Sequence, residues 1–372
     1  MKSRIWLQAP STIVRQVLAA ALLWPLGVMG ADAAQSAPRS PASAQSDQKT
    51  FQERVDVPRV LVDLRVLDDS GQPIAGLTKA DFAVTIDGKP AAIDTADWVA
   101  PHVNAPAQTQ PAAAESQPRS ISPQSVPGGR WIVLLYQKHQ DLSDVEGMMR
   151  LRNDFATFAS IISEKDHVAV LSFDTSLHLW LDFTSDGPRI RGVLDHEIFV
   201  GSPPPIQPGP FPSLAASVPS DIATRTYSIE KSLQRLGDAL TPLPGAKTIV
   251  VLGYGMGTWL PGIRMVQMPA EYEETLLSLQ RARVSVFSID VTKADYHPRE
   301  EGLRLIAADT GGFYMNTHIF TTVALNRVAG ALAGYYVLFV VPPDAQKGER
   351  RIEVRLPRRK GTILSRRAYL AQ

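Results

Sequence analysis

The sequence predicts an α/β domain with a doubly wound, mostly parallel sheet, inserted in a β-sandwich-like domain formed by N- and C-terminal strands. Three observations carry this expectation. From residue 130 to 333, apolar runs of strand length alternate with stretches whose apolar residues recur at helical spacing, the pattern of parallel strands joined by covering helices. Before that region, Val60, Val62, Leu64 and Val66 fall on one face of a half-buried strand. After it, Ile352, Val354 and Leu356 do the same, with Arg351, Glu353 and Arg355 opposite. Each flank is too small to bury two faces alone, so the two are expected to join.

The elements follow in order. RVLVDLRVLDD is the first strand, SGQP at 70–73 is a turn, and FAVTIDGKPAAI sets Asp87-Gly88 between two further short strands, a strong hairpin signal. WIVLLY at 131–136 is a continuous apolar run, as expected of a central strand covered on both faces. A helix follows in which Val145, Met148, Met149, Leu151, Phe155, Phe158, Ile161 and Ile162 recur at helical spacing. HVAVLSFD and LHLWLDF are strands joined by a short turn near Thr175 and Ser176, and Ser185, Asp186 and Pro188 announce the next helix. Beyond the proline-rich loop SPPPIQPGPFP come a helix bearing Ile222, Ile229, Leu233, Leu236 and Leu240, the strand KTIVVL, and a helix over 270–282. The strand VSVFSID, the short helix GLRLIAAD, the strand FYMN and a helix with Leu325, Val328 and Leu332 complete the alternation, DTGG at 309–312 supplying a glycine helix stop. YYVLFVVPP, RRIEVRLPRR and GTILSRRAYLA then return to strand character.

The remaining segments bear on where the chain works. Residues 1–34 carry Lys2, Arg4 and Arg15, then the apolar run VLAAALLWPLGVMG, then Ala31-Asp32-Ala33, the order of a secretory signal peptide. The run is shorter than a membrane-spanning helix needs, and Pro25 interrupts it, so an exported chain, periplasmic or secreted, with no stable membrane span in its mature form is expected. A short retained anchor is the alternative. Residues 35–51 and 101–129 are rich in Ala, Pro, Ser and Gln and read as linkers, separating an N-terminal β segment at 52–100 from the α/β domain at 130–333 and the C-terminal β segment at 334–372.

Composition narrows the function classes. Hydrophobic residues make up 44%, charged residues 20%, and the net charge is +1, which gives no global reason to bind nucleic acid. The absence of cysteine excludes disulfides and thiolate chemistry. H-E-x-x-H and the P-loop are both absent, and GYGMG at 253–257 lacks the serine of a nucleophile elbow. No catalytic residue and no cofactor is expected. The basic cluster of Arg350, Arg351, Arg355, Arg358, Arg359, Lys360, Arg366 and Arg367 reads either as a site for an anionic polymer or as a solvated, edge-protecting strand face, the second being favoured.

WIVLLY, the hairpin HVAVLSFD/LHLWLDF, the FTSD helix start, KTIVVLGYG, RARVSVFSIDV and LIAADTGGFY resemble, in that order, a von Willebrand factor type A domain. LTKADFAVTIDGKP before the domain and YYVLFV with a basic β segment after it are similar to the bacterial exported VWFA-related proteins. The resemblance implies a Mg²⁺ site built from Asp-x-Ser-x-Ser after the first strand, a Thr after the edge hairpin, and the Asp of a Ser-Asp-Gly. Here the first motif aligns on Tyr136, Lys138 and Gln140, Thr184 matches, and Tyr254 replaces the last Asp, leaving no carboxylate for a hard cation. Lys138 is then expected to supply the charge that the metal supplies elsewhere. Asp141, Ser143 and Asp144 form an offset set better explained as helix caps, and His139 as a loop histidine.

The expectation is therefore an exported module that contacts a protein partner, in the cell envelope or outside the cell, through the C-terminal edge of its sheet and without a metal bridge. Its surface would gather Tyr136, Lys138, His139, Gln140, Thr184, Tyr254, Met256 and Trp259. The alternative placement has Tyr136 and Tyr254 packing inward, and the alternative function is a metal-dependent adhesin or an unrecognised hydrolase.

Overall fold

The computed structural model describes residues 59–100, 129–138, 146–152, 162–209, 212–218, 226–294, 296–317 and 321–371. The expected signal peptide, nearly all of both linkers, His139, Gln140, Asp141, Ser143, Asp144 and Ile222 lie outside them. No helix among the described residues is long and apolar enough to cross a membrane.

The two flanks meet in one antiparallel sheet. It takes β1 (Val60–Leu67), β2 (Ala83–Ile86) and β3 (Lys89–Val99) from the N-terminal side, and β12 (Tyr335–Val341), β13 (Gly348–Arg355), β14 (Thr362–Ser365) and β15 (Ala368–Ala371) from the C-terminal side. Their order is β14-β1-β12-β3-β2-β13-β15. The sequential neighbours β14 and β15 thus occupy opposite edges, although only Arg366 and Arg367 separate them. A flat sheet of this order would hold its edges roughly 30 Å apart, far beyond the reach of two residues. The sheet must roll, because Arg367, two residues after β14, already extends the β13–β15 pairing, its carbonyl accepting from Ile352 N–H at 2.8 Å.

The expected sandwich therefore takes the form of one half-barrel. Its concave face buries Val62, Leu64, Val66, Val84, Ile86, Tyr336, Leu338, Val340, Ile352 and Val354. Alternation holds in β13, where Arg351, Glu353 and Arg355 face outward. Asp87 and Gly88 both adopt positive φ, +49° and +78°, as the tight β2–β3 hairpin requires.

The α/β sheet is made of β4 (Trp131–Gln137), β5 (His167–Phe173), β6 (Leu177–Thr184), β7 (Lys247–Gly253), β10 (Val284–Asp290) and β11 (Tyr314–Asn316). The order is β11-β10-β7-β4-β5-β6, parallel except for β6 at the edge. Every residue of β4, β7 and β10 is buried, because helices cover both faces. One face packs Ile132, Leu134, Val250 and Phe287 against the helical residues 146–152, α1 (Gly187–Gly192) and α5 (Thr321–Leu332). The other packs Val133, Leu135, Val251 and Val286 against α2 (Ile229–Leu240), α3 (Tyr272–Arg281) and α4 (Glu300–Asp309). Asp186 caps α1 by accepting from Arg189 N–H, with a proline in the first turn. A hairpin of β8 (Thr258–Leu260) and β9 (Met265–Gln267), which the sequence patterning does not announce, projects after β7.

Arg65 joins the two sheets. Only 4% exposed, it donates to the Ala331 carbonyl at 2.8 Å, to Ser285 Oγ at 2.9 Å and to Thr248 Oγ1 at 3.3 Å. Three bonds satisfy a cation that burial would otherwise penalise heavily.

Candidate functional site

In a doubly wound sheet, ligands bind where the strand order reverses, beyond the carboxyl ends of the strands. Here that point lies between β4 and β7. The crevice is closed by a side chain that sequence reasoning passed over. Gln137 ends β4 and is 3% exposed; its Nε2 donates to the Gly255 carbonyl at 2.9 Å, and its Oε1 accepts from Tyr254 N–H at 3.1 Å. A Cβ on Gly253 would lie 2.5 Å from that Oε1, so glycine is needed for the amide to fit. The one available signal was a polar residue directly after an apolar strand.

The loop after β7 is held from two further sides. Met256 N–H donates to the Arg299 carbonyl at 3.2 Å, while the Arg299 guanidinium lies 5.1 Å from the centre of the Tyr254 ring. Gly257 N–H donates at 2.7 Å to Glu230 in the first turn of α2. Trp259 sits on β8, half-buried, opposite Val266.

The expected surface residues separate in the structure. Tyr136 is 1% exposed and turns into the core with Ile132 and Leu134, edge-on to Phe199 at 6.1 Å, and burial, with Asp195 nearby, pushes its phenol well above the ordinary pKa. Met256 is fully buried. Neither offers side-chain surface to a partner. Lys138, Tyr254 and Trp259 remain at the C-terminal edge with partial exposure. Thr184 does not. It pairs with Val168, near the start of β5, so it lies at the opposite edge of the sheet, where its hydroxyl accepts from Asp186 N–H at 3.1 Å. The reason is direction: β6 runs antiparallel, so its carboxyl end lies beside the amino ends of its parallel neighbours.

Lys138 holds its ammonium 4.5 Å from the centre of the Trp180 ring, a cation–π contact, and its backbone N–H donates to the Phe173 carbonyl at 2.7 Å. Burial lowers its pKa, with Asp174 opposing. Burial pushes the Asp174 carboxyl up, but amide donation from Thr175 and Ser176 outweighs it and keeps the group below its ordinary value. Gln140 lies outside the described residues; at the other aligned positions a buried phenol, an ammonium and a ring already stacked on arginine stand where a hard cation needs oxygen donors, and the threonine is at the far edge. This chemistry does not fit Mg²⁺.

A different polar cluster stands at the end of β10. Asp290, His297 and Glu300 bring one ligand atom each within 4.8 Å of one another. Asp290 is fully buried and accepts from Thr292 N–H at 2.9 Å, from His297 Nε2 at 2.7 Å and from the Tyr314 hydroxyl at 2.7 Å. Tyr314 also reaches Glu300 at 3.2 Å, and Arg304 donates to Glu300 at 2.9 Å while stacking 4.1 Å from the centre of the Tyr314 ring. Burial pushes the Asp290 carboxyl up, yet His297, the Thr292 amide and Tyr314 together hold it below the ordinary range. One imidazole with two carboxylates suits a divalent transition ion, although here Tyr314 and Arg304 already occupy the oxygens. Sequence reasoning missed this group, since nothing in D-V-T-K-A-D-Y-H-P-R-E predicts that Asp290 meets Glu300 through a tyrosine on the next strand.

No family model matches the sequence, and no curated protein does so either. Among solved structures, the chain is similar to an aerotolerance-related membrane protein from Bacteroides fragilis, at 15% identity over 55% of this chain and 98% of that one, with a TM-score of 0.37. It is also similar to a von Willebrand factor type A protein from Catenulispora acidiphila, at 10% identity over 66% and 65% of the two chains, with a TM-score of 0.39. By its own strand order and its single antiparallel edge, the α/β unit is a distant von Willebrand A/Rossmann-like fold, with a buried Asp/His/Glu cluster at one strand end and a half-barrel made from both flanks beside it.

Proposed function

We propose that the chain is an exported protein-binding module whose contact surface is the C-terminal edge of the parallel sheet, engaged without a metal bridge. One observation carries this reading: apolar side chains are left exposed on segments that leave that edge. Tyr227, held there by its N–H to the Thr175 carbonyl, is 73% exposed; Ile263 and Met265 on the β8–β9 hairpin are 63% and 60% exposed; Tyr296, beyond β10, is 60% exposed. Large apolar groups left exposed at one edge of a sheet supply contact area for a partner, and tyrosine adds it with few rotors to immobilise. Lys138, Tyr254 and Trp259 border the same edge.

The test is quantitative capture of an envelope partner by wild type, by the double variant Ile263→Asp/Met265→Asp, and by Arg351→Glu on the outer face of the half-barrel. The double variant is expected to bind about tenfold more weakly or worse, with a stability change of about 0.5 kcal/mol at most because both residues are exposed. Equal capture by all three would move the surface elsewhere.

The Asp290–His297–Glu300 cluster favours a second, metal-dependent reading, and the two part on a melting curve. Saturating Mg²⁺, Mn²⁺, Ca²⁺ or Zn²⁺ is expected to leave Tm unchanged, since an ion bound only by the folded state must raise it. A rise that His297→Ala abolishes would replace the first reading by the second.

A further inference from the structure

We propose that the cleft between the half-barrel and the end of α3 is a binding site for a small amphipathic anion, one with a phosphate or carboxylate head and a short apolar body. The cleft encloses about 470 Å³, within the usual range for small-molecule pockets. Arg59, Arg281, Arg283, Arg350 and Arg366 line it, against the single lining carboxylate of Asp344.

The pairing of these cations is uneven. Arg59 is matched by Asp94, Arg283 by Asp63, and Arg350 by Asp87 and Asp344. Arg281 and Arg366 take part in none of the ion pairs formed among the described residues. Burial, reinforced by Arg283 and opposed by Asp63, lowers the pKa of Arg366. Positive charge is thus left over in a partly enclosed space, which favours an anion.

Among the described residues, three buried donors of lining residues lack hydrogen-bond partners: Arg350 Nη2, Arg366 Nε and Tyr369 Oη. Arg350 is 1% exposed and Tyr369 6%. Buried polar groups are nearly always satisfied, so three orphans on residues that line one cavity would gain an acceptor from an anion held there once these side chains turn toward it. The guanidiniums are also preoriented from behind. Arg350 Nη1 donates to the Gln346 carbonyl at 3.0 Å and pairs with Asp344 at 2.8 Å, while Arg366 Nη2 donates to the Leu61 carbonyl. Arginine held in this way recognises a planar or tetrahedral oxyanion with little further ordering. Val60, Leu61, Leu277, Pro342 and Leu370 also line the cleft and provide apolar wall, which selects for a hydrocarbon body over a bare ion. The basic stretch of the sequence accordingly divides: Arg351, Arg355, Arg358, Arg359 and Lys360 are solvated, whereas Arg350 and Arg366 turn inward.

The experiment is calorimetric titration of the full chain with inorganic phosphate, hexanoate and hexyl phosphate, repeated on Arg281→Glu, Arg366→Gln and Tyr369→Phe. Hexyl phosphate or hexanoate should bind saturably, the better of the two naming the head group, and inorganic phosphate should bind at least about tenfold more weakly. Each variant should lose about tenfold, the scale of one charge-assisted hydrogen bond. Tyr369→Phe keeps the ring and Arg281 is exposed, so an unaltered melting curve for these two separates lost binding from lost folding. No binding at millimolar concentration by any probe, or binding that survives both Arg281→Glu and Tyr369→Phe, overturns the proposal. Inorganic phosphate binding as tightly as hexyl phosphate overturns the apolar body.

Discussion

Replacing Gly330 with alanine is expected to destabilise the protein by about 3 kcal/mol, although helix propensity alone favours alanine by about 1 kcal/mol. Gly330 lies in α5 where the helix backbone rests directly on the turn that follows β1. A Cβ there would stand 1.9 Å from the Gly71 carbonyl oxygen, which is backbone and cannot swing aside. That turn is itself braced: Asp68 accepts from the amides of Ser70 and Gln72 at 2.9 and 2.8 Å, and Gly71 holds φ at +82°. Relief therefore requires α5 to separate from the half-barrel, losing contacts of Ala331 and Leu332. Chemical denaturation with the m-value held constant reads the loss. Gly187→Ala, with nothing within 4 Å of the added carbon, should stay within about 0.5 kcal/mol. Equal stability of both variants would mean that α5 does not bear on the turn.

Asp166→Ala should cost about 3 kcal/mol and flatten the acid limb of the stability profile. Asp166 is fully buried at the amino-terminal edge of the sheet. It accepts from Arg130 N–H at 3.1 Å, from Arg130 Nε at 2.8 Å and from Ser163 N–H at 2.7 Å, and forms an ion pair with Arg130 Nη2. Arg130 in turn donates to the Leu332 carbonyl at 3.2 Å, so the pair ties β4 to the end of α5. Truncation strands two backbone donors and takes the carboxylate from a partly buried guanidinium. Burial pushes the Asp166 carboxyl up, but Arg130 and the Ser163 amide outweigh it, and its folded pKa lies below the ordinary value. The sign follows: the contribution is complete above the unfolded pKa of about 3.9 and is lost as pH falls through the depressed folded value. Wild type should lose stability steeply below about pH 4, and the variant less so. Parallel acid limbs in the two proteins would exclude this role.

The strands and helices of the α/β sheet were legible because a doubly wound fold imposes two local periods, and WIVLLY, KTIVVL and VSVFSID carry them without interruption. Asp87-Gly88 announced its hairpin through backbone sterics alone. The strand mouth was only partly legible. Lys138, Tyr254 and Trp259 lie at the expected edge, but Tyr136 sits on a strand covered on both faces, where alternation cannot say which way a terminal phenol turns. Thr184 was misplaced although the hairpin HVAVLSFD/LHLWLDF was legible: a strand that returns antiparallel ends beside the amino ends of its parallel neighbours, away from the loops after β4 and β7.

By itself, the sequence determined the fold class and the joining of the two flanks, since each depends on residue type and local period. The tertiary structure alone decided that Gln137 closes the switch crevice, that Asp290 meets His297 and Glu300, and that Arg350, Arg366 and Tyr369 face one cleft with residues from α3. Those groups come from segments far apart along the chain, and only the rolling of one sheet and the stacking of helices on another set the distances between them.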